Sequence, residues 1–127
     1  MNAFRRLLVL FAGLLGAAGV AAAAAAAHMT SDPALATAAQ FLMIGAVALA
    51  ACAALGAAAG GQGWSFSDIG GGLIGLGTAL FSGALAARVL WDVSIFPMAA
   101  PTGGMVLIVG WLALGLAAFQ RGRSVTT

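Results

Sequence analysis

The chain has 127 residues, 63% hydrophobic and 6% charged, with a net charge of +2 and a mean hydropathy of +1.11. A single water-soluble domain of this length cannot bury so much apolar surface, so the composition excludes a soluble enzyme or binding module and predicts a chain dissolved in lipid. Arg5, Arg6, Arg121 and Arg123 crowd the two ends, no basic patch is interleaved with aromatics, and the single Cys52 has no partner for an internal disulfide; nothing here predicts a nucleic-acid partner.

A membrane-crossing helix needs about 20 apolar residues, and four such runs fit in one transmembrane domain over residues 1–127. The first, 4–27, has a basic start and an Ala-rich end, the outline of a secretory signal peptide. It is expected to be retained, because the rest of the chain is itself membranous. Asp32 and Pro33 supply an N-cap and a first helical residue for the second run, 34–59. Gly60-Gly61-Gln62-Gly63 reads as a stop, and Trp64 and Phe66 as anchors at headgroup level. Ser67 or Asp68 is the expected cap of the third run, 69–90, which ends at a further interfacial anchor, Trp91. Pro97 and the stretch Pro101-Thr102-Gly103-Gly104 predict irregular backbone before and into the fourth run, 102–119, and 120–127 is a polar tail.

These runs predict an all-α, integral membrane four-helix bundle. With four spans both termini lie on one side, and Arg5, Arg6, Arg121 and Arg123 put that side in the cytoplasm, with only Arg88 near the other face. His28, Arg88, Trp91, Asp92, Pro101, Gly103 and Gly104 then fall at the interface or in the outer loops.

Lipid gives helices no hydrophobic reason to associate, so small residues act by letting backbones approach. Gly75, Ala79, Gly83 and Ala87 recur every fourth residue and predict a continuous packing face on the third helix; Gly16 and the block Ala21 to Ala27 do the same on the first. On this reading Gly83→Leu pushes the third helix off its neighbour.

Chemistry-bearing residues are sparse. His28 has no second His and no acidic cluster to complete a metal site. Arg88 and Asp92 stand four apart and can pair if the helix continues. The polar groups expected at depth are Cys52, Thr78 and Ser82, and Ser82 has no base to activate it. Gly70-Gly71-Gly72 lacks the Lys and strand of a phosphate loop. No catalytic residue, cofactor or metal is predicted.

Several short stretches together carry a resemblance: Gly16-Ala17-Ala18-Gly19-Val20, Ala27-His28, Leu80-Phe81-Ser82-Gly83, Pro101-Thr102-Gly103-Gly104 and Gly110-Trp111. In order and spacing they resemble domain-of-unknown-function family 423. The resemblance implies a four-span protein of the bacterial cytoplasmic membrane, with mitochondrial relatives, and it supplies no activity. The family usually carries a Tyr-Gln-x-Tyr-His-like patch in its second helix, where this chain has Phe41-Leu42-Met43-Ile44-Gly45.

The function expected from these features is that of a non-catalytic accessory subunit packed against a larger, energy-converting inner-membrane complex. The alternative is a small transporter or channel acting as a homo-oligomer, with Thr78, Ser82, Arg88 and the 101–104 break along its path. A haem or quinone protein using His28 and the tryptophans ranks below both.

Overall fold

The computed structural model describes residues 2–59, 64–95 and 97–120. The glycine stop at 60–63, Phe96, Arg121, Arg123 and the rest of the tail therefore lie outside the described residues. Four helices, α1 (Ala3–His28), α2 (Pro33–Ala58), α3 (Phe66–Trp91) and α4 (Ala99–Leu116), are followed by a 3-10 turn at Ala117–Phe119. The 26 residues of each of the first three give about 39 Å of helix, beyond the roughly 30 Å of a hydrocarbon core. All four are long and apolar enough to cross a membrane. The protein is an all-α, multi-pass membrane protein.

Local chemistry sets the helix starts. The Asn2 side chain accepts the Arg5 backbone N–H at 2.8 Å, and Asp32 accepts that of Ala34 at 2.9 Å with Pro33 at the first position. α3 begins three residues before the expected 69. Its cap is neither Ser67 nor Asp68 but Ser65, in a capping box whose reciprocal member is Asp68. At the other end Asp92 turns left-handed, with φ 52°, and its N–H closes α3 onto the Arg88 carbonyl at 3.0 Å.

α4 differs more from expectation. It starts at Ala99, so Pro101, Gly103 and Gly104 are helical rather than irregular. Pro101 is the third residue of the helix, where its missing N–H removes no intrahelical bond. The irregular backbone lies earlier, around Met98, which has φ 67° and no side-chain cap.

Consecutive helices pack on one another, and α1 also touches α3 lightly, while α4 lies on α3 without a comparable interface to α1 or α2. The bundle is thus open on one side. Leu35, Leu49, Cys52 and Ile74 are fully buried at its centre.

The α3–α4 contact is backbone against backbone. A Cβ on Gly70 would sit 2.9 Å from the Leu114 nitrogen and one on Gly77 2.7 Å from the Leu107 nitrogen. Reciprocally, a Cβ on Gly103 would lie 2.5 Å from the Phe81 nitrogen and one on Gly110 2.8 Å from the Ile74 nitrogen. Both helices write the same pattern, Gly70-Ile74-Gly77 and Gly103-Leu107-Gly110, and run antiparallel. Alternating steps of four and three keep these residues on one side of a helix with only about 20° of drift per heptad.

Candidate functional site

Four helix ends meet around one buried ion pair. The start of α1 carries Arg5, the start of α3 carries Asp68, and both side chains are almost fully buried, at 4% and 1% exposure. The guanidinium engages the carboxylate with two parallel bonds, Nε to Oδ1 at 3.1 Å and Nη2 to Oδ2 at 3.0 Å. This fork matches the planar geometry of both groups. Asp68 Oδ2 also accepts the Ser65 backbone N–H at 3.1 Å, Ser65 Oγ accepts the Asp68 N–H at 3.2 Å, and the Ser65 and Ser67 hydroxyls bond at 2.7 Å.

The last turn of α2 makes room for the pair. A Cβ on Gly56 would collide with Arg5 Nε and stand 2.9 Å from Asp68 Oδ1. The end of α4 joins through Gln120, whose Oε1 accepts the Phe66 backbone N–H at 2.9 Å. Phe4 and Trp64 stack edge to face at 4.9 Å beside it. The arrangement satisfies a buried carboxylate and ties four helix ends together. Sequence reasoning read Arg5 only as an orientation signal and Asp68 only as a cap. The readable clue was Ser65-x-x-Asp68, a capping-box spacing that places the carboxylate one turn into α3.

At depth, Thr78 and Ser82 are fully buried and neither hydroxyl has a hydrogen-bond partner. Thr78 stands against α2, where a Cβ on Gly45 would lie 2.6 Å from its Oγ1. Phe41 and Phe81 stack across the same interface at 4.8 Å.

The expected stripe Gly75-Ala79-Gly83-Ala87 is not a single packing face. Gly75 does pack, with its Cβ position 3.2 Å from the Phe11 ring and 3.4 Å from Leu49. Ala79 is exposed, Gly83 meets nothing within 4 Å and Ala87 is half-buried. Four-residue steps advance about 40° beyond a full turn each, so the stripe spirals from the interior out to lipid. A Cβ on Gly16 would meet the Ala46 methyl at an ordinary 3.6 Å.

At the opposite end, His28 closes α1 and is exposed, as are Trp91 and Asp92. Arg88 and Asp92 form no side-chain ion pair, because the left-handed turn at Asp92 takes its side chain off the helical face. Arg88 instead lines, with Ser94, Met98 and Pro101, a cavity of about 150 Å³ where α3 hands over to α4. A Cβ on Gly104 would meet the Phe81 ring at an ordinary 3.7 Å. Among the described residues no three His, Cys, Asp or Glu side chains come together.

Residues 15–104, from the middle of α1 to the first turns of α4, match the family described as Protein of unknown function (DUF423). The chain belongs to that family. The matched region contains Asp68 and both aromatic partners Phe41 and Phe81, and stops short of Arg5 on one side and Gly110 on the other. No curated protein matches the chain, and no solved structure does so either.

Proposed function

We propose that this protein is a non-catalytic accessory subunit of the bacterial cytoplasmic membrane that packs against a larger, energy-converting assembly. The carrying observation is where the charges stand. Among the described residues Arg6, His28, Asp32, Arg88 and Asp92 sit at helix ends, and Arg5 and Asp68, near the starts of their helices, pair with each other. A pump or carrier places ionisable groups along the membrane interior; the middle of these helices has no Arg, Asp or His. What the protein offers instead is apolar surface, most of all on α4, where Met105, Ile108, Val109 and Leu112 are exposed. The termini are assigned to the cytoplasm on the strength of Arg5 and Arg6, with Arg121 and Arg123 of the tail, against Arg88 at the other end.

Gentle solubilisation and purification of the intact protein from its native membrane tests this reading. A larger membrane complex co-purifying in fixed stoichiometry supports it. The second reading, a small oligomeric transporter or channel, draws on the buried hydroxyls of Thr78 and Ser82, the polar groups in the middle of α3. Solute flux through liposomes holding only this chain would establish that reading and remove the first.

A further inference from the structure

Gln40 is out of place. It is exposed on α2 and forms no hydrogen bond with any described residue. It stands about 10 Å along the helix from Pro33 and about 9 Å from the helix middle, inside the roughly 15 Å half-thickness of the hydrocarbon. A primary amide has two donors and an acceptor, and lipid satisfies none of them. Apart from the Trp111 indole, every other exposed polar side chain on a described helix lies within about a turn of a helix end, where headgroups and water are in reach.

Gln40 borders an open groove of about 330 Å³ between α1 and α2, walled by Ala23, Ala26 and Ala27 on one side and Ala36 and Ala39 on the other. We propose that this groove is the interface with a second copy of the chain, the two Gln40 amides bonding to each other across a twofold axis normal to the membrane. Three features single out a second copy. An amide both donates and accepts, so two related by a twofold satisfy each other. Copies inserted the same way hold Gln40 at the same depth, which an arbitrary partner group does not. Finally, Gln40, Ile44, Val47 and Ala51 are all exposed on α2 and follow steps of four, three and four, the spacing of a seam between parallel helices in which one polar position fixes the register. The alanine walls let the second backbone come close. The pair forms with or without a larger partner and so stands apart from the accessory-subunit reading.

Oxidative cross-linking in native membranes tests the proposal. Val47→Cys should give a disulfide-linked band at twice the 12.4 kDa chain mass, while Leu112→Cys, exposed on α4, should not. The unaltered protein is the blank, since Cys52 is buried. Adding Gln40→Leu should cut the Val47→Cys yield by about fivefold or more, with Gln40→Asn cutting it less. The Gln40 amide makes no hydrogen bond with a described residue, so the Gln40→Leu protein should keep the parent's helix content, read by circular dichroism in mild detergent. A cross-link at 47 no stronger than at 112, a yield indifferent to Gln40→Leu, or a product containing a different protein would each overturn the proposal.

Discussion

Toward α4, helix α3 presents Gly70 and Gly77 and lets backbone meet backbone; toward α1 and α2 it presents Asp68, Gly71 and Gly75 to an arginine and to large side chains. The first contact is steric, backbone against backbone along its length, with the Phe66–Gln120 hydrogen bond at one tip. The second is anchored at one end by charge and filled further along by Leu8, Phe11 and Leu49, which reach into the space that glycines leave. Close helix approach in lipid can therefore be reached from either side: remove side chains from both partners, or remove them from one and insert those of the other. The two contacts should fail differently.

The largest effect is expected where one half of the buried ion pair is removed. Asp68→Leu removes the carboxylate that faces the buried Arg5 guanidinium and should cost about 3–5 kcal/mol, read as a fall in stability of the purified protein on denaturant titration in mild detergent. Adding Arg5→Met should restore most of that loss, since the buried guanidinium then goes with its carboxylate; a double variant as weak as the single one would mean that Arg5 matters chiefly through its other contacts.

The steric contact should respond to a single methyl. Gly77→Ala and Gly103→Ala each place a Cβ within 3 Å of partner backbone and should cost about 1–3 kcal/mol. A cysteine pair engineered across α3 and α4 should then cross-link more slowly, while one across α1 and α2 should be unchanged. Unchanged cross-linking between α3 and α4 would show that the helices slide to absorb the methyl.

Thr78→Val should be nearly silent, within about 1 kcal/mol of the parent and of either sign, because it removes a buried hydroxyl that has no partner to lose. A loss well beyond that in thermal unfolding would reveal a bond to that oxygen. Smallest of all, Gly83→Leu should change stability by no more than about 0.5 kcal/mol, since its Cβ position meets nothing; cleavage of the variant by added protease at the parent rate would confirm it.

Much of the fold can be read along the chain. Apolar runs longer than a bilayer is thick leave few choices, and Asp32-Pro33 marks the start of α2 unaided. The starts of α3 and α4 are less legible because three capping residues, Ser65, Ser67 and Asp68, compete within four positions, and because a proline with two glycines looks like a break until its place in the first turn is known. The candidate site was the least legible part. Arg5 and Asp68 are 63 residues apart, and a charge near a helix end reads as an interfacial one unless the neighbouring ends are known to close over it. The true α3–α4 face was visible as two copies of the same spacing, Gly70-Ile74-Gly77 and Gly103-Leu107-Gly110, but it competes with the equally regular Gly75-Ala79-Gly83-Ala87 on the same helix.

The sequence by itself determined the solvent, the number of helices and most of their ends, because these depend on local hydropathy, chain length and capping chemistry. Only the tertiary structure decided which small residues touch a neighbour, that α4 has one partner rather than two, and that an arginine and an aspartate are sealed together. Those facts depend on how rods are rotated about their axes and which ends converge, and in an almost uniformly apolar chain every rotation offers lipid nearly the same surface, so hydropathy cannot choose among them.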